Sequence, residues 1–331
     1  NREHNFGIVN NWADPNKPWA ARKSYIATAC MNNLFSGAEF VESKVDGKQG
    51  FLYHYKNDGK DIYAIFSTEA VYTTGLKANK ESVTISDMYG NEDTLYARDG
   101  VLNILGGEEV TYIIGENLSL DFAEPTITLN KHNVGVVLGE EADLSINLKD
   151  SEKAEYKTVT DNLNVVSDGN SKTAKVSFDE IEAGIEKIYV TVSENDKLYL
   201  KGTILANCIP TVSANITNTL FNLKNFNRWM GKLTITNNST ENSISGNLTF
   251  SEPDFFAKKL PPVKIPEIKP GETKIIEFHF PEILRKEAYT LNAIAKLDNG
   301  DSVQISERVD FAVATYADNK PKIDGVVDKN E

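Results

Sequence analysis

Apolar residues in this chain fall mostly on alternate positions. Val83/Ile85, Leu102/Ile104 and Val110/Tyr112/Ile114 repeat with period two, and Asp61–Phe66 is dense in strand formers. That spacing puts one face of each run into a core and leaves the other outside. Asn57-Asp58-Gly59, Tyr89-Gly90-Asn91 and Asp99-Gly100 interrupt the runs with turn-forming residues. The pattern predicts a β-sandwich over 46–122.

The alternation continues. Leu144/Ile146/Leu148, Ala174/Val176/Phe178 and Ile188/Val190/Val192 predict a second, Ig-like sandwich over 123–208, with turns at Asp168-Gly169-Asn170 and Glu194-Asn195-Asp196. Leu233/Ile235, Ile276/Phe278/Phe280 and Tyr289/Leu291/Ala293/Ala295/Leu297 predict a third over 209–316. The run Leu260-Pro261-Pro262-Val263-Lys264-Ile265-Pro266 is an edge strand or a long loop, because proline gives no N–H to a ladder. The polar stretch 317–331 reads as a linker and the opening of a further domain.

Only the start of the chain breaks the period. Pro18 to about Phe35 reads as helix, with Trp19, Ile26, Cys30 and Leu34 at roughly helical spacing and Gly37 as its stop. Before it, Phe6–Val9 reads as one short buried strand. A lone strand and helix, residues 1–45, cannot close a core, so this piece needs a partner.

Composition narrows the function classes. The 331 residues carry a net charge of −13, which repels phosphate backbones and argues against nucleic acid as a partner. No apolar run reaches the length of a membrane span. Cys30 and Cys208 are the only cysteines and read as two buried free thiols, with no disulfide framework and no zinc site. No Ser/His/Asp grouping, phosphate loop or HExxH motif is present, and His4, His54, His132 and His279 lack metal-ligand spacing. Asp298-Asn299-Gly300-Asp301 and Asp324–Asp328 read as a turn and a solvated linker rather than calcium loops. No cofactor is expected.

Two stretches carry a resemblance. Glu3-His4-Asn5-Phe6-Gly7-Ile8-Val9, Lys17-Pro18-Trp19-Ala20-Ala21 and Leu34-Phe35-Ser36-Gly37-Ala38-Glu39-Phe40-Val41 resemble the last strand and helix of the (β/α)₈ barrel in clan A, family 39-like bacterial glycoside hydrolases. Val83–Asn91 and Val110–Gly115 resemble the small β-sandwich that follows such barrels, with Glu109-Val110-Thr111 standing where proline is usual. Pro321–Asp328 resembles the opening of a family 9-type carbohydrate-binding domain. The implied fold is mainly β: tandem β-sandwich, Ig-like domains preceded by a terminal β-α remnant of a (β/α)₈ barrel.

The resemblance implies a secreted or cell-surface bacterial protein, the accessory region of a multidomain enzyme acting on polysaccharide. Both catalytic carboxylates of such an enzyme would lie upstream of Asn1, in a missing N-terminal catalytic barrel, so no catalytic residue is expected in this chain. Retaining hydrolysis needs two carboxyl groups about 5–5.5 Å apart. Trp12, after the strand, and Glu3, before it, are the candidate substrate contacts; Trp19 and Trp229 read as packing residues. The alternative is a structural or adhesive surface protein of Ig-like repeats with no hydrolase activity.

Overall fold

The structure is a computed structural model that describes residues 22–46, 50–68, 71–158, 160–167, 172–179, 184–223, 226–251, 256–282 and 288–311. Glu3, Trp12, Trp19, the Phe6–Val9 strand, the turn at 168–170 and the 317–331 tail lie outside the described residues. Among the described residues one helix and 23 strands form, so the chain is mainly β. Its contacts divide into two compact units, Asn1–Ile209 and Pro210–Glu331.

The helix α1 spans Lys23–Phe35, ending where expected: Ser36 N–H bonds back to Asn32 O and Gly37 adopts φ +79°. No residue of α1 is buried, so the expected apolar stripe does not enter a core; Ile26 lies exposed while Cys30 and Leu34 are half-buried.

The first sandwich follows. Strands β1 (Glu39–Val45), β2 (Gly50–Asn57), β3 (Lys60–Ser67), β4 (Tyr72–Ala78), β5 (Ser82–Ser86), β6 (Glu92–Tyr96), β7 (Val101–Gly106), β8 (Thr111–Glu116) and β9 (Leu120–Ala123) make two layers, β1-β2-β3-β8-β5-β6 and β7-β4-β9. Leu52, Ile65, Leu76, Val83, Leu95, Leu102, Ile104 and Ile113 fill the space between them. Asp58 and Gly59 (φ 48° and 77°) and Asp99 and Gly100 (φ 55° and 81°) close tight hairpins at the expected turns, with the paired positive φ of a two-residue hairpin loop.

In β8 the alternation is present but its phase is reversed from the expectation. Ile113 is the core residue, and Val110, Tyr112 and Ile114 belong to the opposite face. The cause is pairing: Tyr112 lies opposite Ala64 and Ile114 opposite Ile62, on the outer side of β3, while Tyr63 and Ile65 point inward.

The second sandwich has strands β10 (Asn133–Val137), β11 (Ala142–Ser145), β12 (Lys153–Thr158), β13 (Leu163–Ser167), β14 (Thr173–Phe178), β15 (Ile185–Glu194) and β16 (Lys197–Ile209). One layer is β11-β14-β13; the other is β12-β15-β16-β10, with β10 parallel to β16. Leu144, Ile146, Leu148, Ala174, Val176, Phe178, Ile188, Val190 and Val192 are all buried between the layers, as their spacing predicts. Seven short strands in two packed Greek-key layers are an Ig-like sandwich.

β16 does not stop at its own module. Its first residues pair in parallel with β6 (Leu198 opposite Leu95) and β7 (Leu200 opposite Asn103, Lys201 opposite Ile104), bridging the two layers of the first sandwich. Gly202 makes the approach possible: a Cβ there would stand 2.2 Å from Leu105 Cβ. Leu105 accordingly packs in the core of the second sandwich rather than the first.

The 210–331 unit contains β17 (Val212–Leu223), β18 (Phe226–Asn237), β19 (Ile244–Phe250), β20 (Val263–Ile268), β21 (Thr273–His279), β22 (Ala288–Leu297) and β23 (Ser302–Asp310). Layers β17-β18-β21 and β20-β19-β22-β23 enclose Leu233, Ile235, Phe278, Leu291, Ala293 and Phe311. The proline-rich run becomes β20, at the edge of its sheet, where a missing N–H costs nothing. Trp229 packs against this core, edge-on to Phe311 at 5.2 Å between centroids.

Candidate functional site

The outer face of the first sandwich is aromatic because its strand alternation is aromatic. Phe51, Tyr53 and Tyr55 on β2 point away from the core that Leu52 and His54 enter. Phe66 on β3 and Tyr112 on β8 share that outer face. Phe51 and Phe66 stack at 5.4 Å, and Tyr53 and Phe66 lie 5.8 Å apart and nearly parallel, with 3° between their planes.

Helix α1 closes one side. Phe35 meets Tyr55 at 4.7 Å and Tyr112 at 5.6 Å, both edge-on. Asn57, at the end of β2, donates from Nδ2 to the free carbonyls of Leu34 (2.9 Å) and Ser36 (3.1 Å), fixing the C-terminal end of the helix. Between helix and sheet lies a groove of about 580 Å³, lined by Met31, Phe35, Tyr53, Tyr55, Phe66 and Tyr112 among others. Burial, with Cys30 nearby, pushes the Tyr112 phenol up from its ordinary range, so it stays protonated and neutral. The groove has largely apolar walls and, among the described residues, no carboxylate on its lining, so those residues can hold an apolar surface but supply no acid–base pair.

The buried ionisable groups are spent on structure. His54 Nε2 and Asp61 Oδ1 are 2.9 Å apart, the imidazole stacks on Tyr63 at 4.2 Å, and Asp61 Oδ2 accepts from Leu118 N–H at 2.9 Å. Tyr63 Oη donates to Leu118 O at 3.2 Å. Both oxygens of Asp61 thus have internal partners, Oδ1 with His54 of β2 and Oδ2 with the chain between β8 and β9. Arg98 Nε and Glu152 Oε1, both buried, are 2.9 Å apart, an ion pair by distance in which Nε is not aligned for a hydrogen bond; Arg98 Nη1 donates to Thr126 O at 2.7 Å. Among the described residues no group of three or more His, Cys, Asp or Glu side chains converges as a metal site would. Asp298 and Asp301 lie around the β22–β23 turn, where Ser245 donates to Asp298 and Asn299 donates to Asp301.

Cys30 sits on the α1 side facing the β5–β6 turn, beside Ser86, and Cys208 lies on β16; both are half-buried and neither forms a disulfide. Burial, then the charges of Asp87 and Glu92, push the Cys30 thiol up, and burial pushes up that of Cys208. The thiolate is the reacting form, so both react with a disulfide reagent more slowly than free cysteine at neutral pH. The gap closes as pH rises past the ordinary thiol range. Equal rates at pH 7 would contradict the burial described.

The two residues expected to touch substrate, Glu3 and Trp12, lie outside the described residues. The aromatic groove was not among the sequence expectations. Its signal was the aromatic alternation Phe51/Tyr53/Tyr55.

No protein-family model matches this chain, and no curated protein matches it. Among solved structures, domains A168–A170 of titin cover 82% of this chain and 97% of their own at 9% identity, with a TM-score of 0.23. The N-terminal four Ig domains of Dscam1 isoform 1.9 cover 80% of each chain at 10% identity, with a TM-score of 0.21. At these scores the likeness carries no argument, and the assignment of fold rests on the layers and cores described above.

Proposed function

We propose that this chain is a non-catalytic structural segment of a larger surface protein: β-sandwich modules that hold neighbouring parts at a fixed spacing. The observation that carries this reading is the seam inside the 1–209 unit. There one strand, β16, belongs to two sandwiches, and a buried Arg98–Glu152 pair clamps them. Modules joined by a short flexible linker move independently; modules sharing a strand and a buried ion pair do not. The polar chemistry supports the same reading, since the buried carboxylates of Asp61 and Glu152 are committed to internal partners. The test is an assay of the purified chain against a panel of β-linked polysaccharides and aryl glycosides. The expected result is no turnover; turnover that survives repurification would overturn the proposal.

A second reading has its own observation. Tyr25, Ile26 and Met31 on α1, and Phe40, Val41 and Val45 on β1, are exposed although large and apolar. An adjoining domain would bury such a surface, and in the glycoside hydrolase reading the catalytic barrel is that domain. Oxidative footprinting of Met31, with and without the upstream part of the full-length product, separates the two. Protection of Met31 by an upstream barrel favours the accessory reading, and unchanged oxidation favours the purely structural one.

A further inference from the structure

A second cleft, of about 480 Å³, opens beside the seam of the 1–209 unit. Three chain segments build it: the β4–β5 turn with Asn79, Lys80 and Glu81, the end of β6 with Tyr96, and the first residues of β16 with Lys197 and Tyr199. The segments are fixed independently of any ligand. Asn79 donates from Nδ2 to Asn117 O at 2.9 Å and accepts from Ser119 N–H at 3.0 Å, so the turn is pinned. Ala97 N–H bonds to Glu81 O at 2.8 Å. The β16 side is held by the pairing of Leu198 with Leu95.

The Lys197 ammonium and the cleft's two phenol groups, by contrast, touch one another but make no ion pair or hydrogen bond among the described residues. Lys80 and Lys197 have no carboxylate within 4.0 Å, and neither their ammonium groups nor the hydroxyls of Tyr96 and Tyr199 make a hydrogen bond among the described residues. Lys197 Nζ stands 5.2 Å from the centre of the Tyr96 ring, and the Tyr96 and Tyr199 rings meet at 60° with centroids 6.5 Å apart. Asp99, the acid next to the lining residue Gly100, is neutralised by Lys149 at 2.9 Å. The ionisable lining is thus two lysines against Glu81, a local excess of positive charge on a chain whose net charge is −13.

We propose that this cleft binds a carboxylate-bearing sugar ring, a uronate unit of an acidic polysaccharide. Each part of the lining answers one part of that ligand. The ammonium groups of Lys80 and Lys197 take the carboxylate as point-charge donors. The tyrosine rings offer apolar faces to the C–H face of a pyranose, and their hydroxyls, with Glu81, exchange hydrogen bonds with ring hydroxyls. A neutral sugar leaves both lysines unanswered, and an acidic peptide leaves the aromatic walls unused. The site takes no part in bond cleavage, and it stands or falls independently of the structural function proposed above.

The probes are tetragalacturonate, neutral galactotetraose and tetraglutamate, each titrated into the full chain by calorimetry at low salt. Tetragalacturonate is expected to bind about 10-fold tighter than either of the others, and to weaken as salt rises. Lys80→Met and Lys197→Met are exposed substitutions that leave the fold intact, checked by an unchanged melting temperature. Each is expected to weaken tetragalacturonate by up to about 5-fold, the range of a partly exposed ion pair, with no effect on galactotetraose. Tyr96→Ala is expected to weaken tetragalacturonate and spare tetraglutamate. Three results would each overturn the proposal: no saturable binding of tetragalacturonate at millimolar ligand, equal affinity for tetraglutamate, or affinity unchanged in the Lys80→Met/Lys197→Met double variant.

Discussion

Replacing Arg98 with Met lowers the unfolding free energy of the 1–209 unit by about 3–5 kcal/mol, read by urea denaturation. Arg98 lies on the hairpin between β6 and β7 of the first sandwich, and Glu152 just before β12 of the second. They are 6% and 3% exposed. The substitution leaves the Glu152 carboxylate buried with the Lys149 N–H, 2.7 Å away, as its one hydrogen-bond donor among the described residues. It also strips a donor from Thr126 O. A buried charge without its counter-charge is the costly outcome; a buried pair replaced by apolar groups is not. Arg98→Met/Glu152→Leu is therefore expected to recover part of the loss. A single-variant loss below about 1 kcal/mol, typical of a solvated surface pair, would mean that water reaches the seam.

Asn103→Leu should cost about 2–4 kcal/mol, as it leaves one buried and one half-buried backbone donor unmet at once. Asn103 is fully buried on β7. Its Oδ1 accepts from the N–H groups of Thr126 (2.7 Å) and Ile127 (3.0 Å), and its Nδ2 donates to Thr126 Oγ1 at 3.0 Å. One amide thus fastens the segment that leaves the first sandwich and enters the second. Leucine is close in size, so the loss isolates hydrogen bonding from packing. Thr126→Val, which removes only the hydroxyl, is the control and should cost about 1 kcal/mol. Equal effects of the two substitutions would show that the backbone donors at 126 and 127 find other partners.

The strand faces were largely legible because burial in a two-layer sandwich has the period of the strand itself. Leu144/Ile146/Leu148 and Ile188/Val190/Val192 needed no tertiary information. The hairpins at Asp58-Gly59 and Asp99-Gly100 were legible because few residue pairs tolerate two positive φ angles in succession. The prolines left an edge strand or a long loop for 260–266, and β20 is the edge strand.

β8 shows where this reasoning stops. Val110/Tyr112/Ile114 and Ile113 are both apolar sets, so hydrophobicity alone cannot choose the inward one. The seam was hidden for a different reason. Leu198 meets Leu95 and Arg98 meets Glu152 across long stretches of chain, and no local period encodes such pairings. Gly202, inside an otherwise apolar alternation, was the available hint of a close approach. The aromatic groove was half legible: Phe51, Tyr53 and Tyr55 announce an aromatic face, but its closure by Phe35 depends on where α1 docks.

The central claim is that the first two sandwiches form one structural body joined at β16. Amide hydrogen exchange, followed region by region in the wild-type chain and in Arg98→Met, tests it most directly, because it reads the opening free energy of each strand separately. β7 in the first sandwich and β15 in the second are expected to be protected to similar free energies, and both to lose protection together in the variant. Protection lost in β7 while β15 keeps its wild-type value, or the reverse, would contradict it and leave two modules that merely touch.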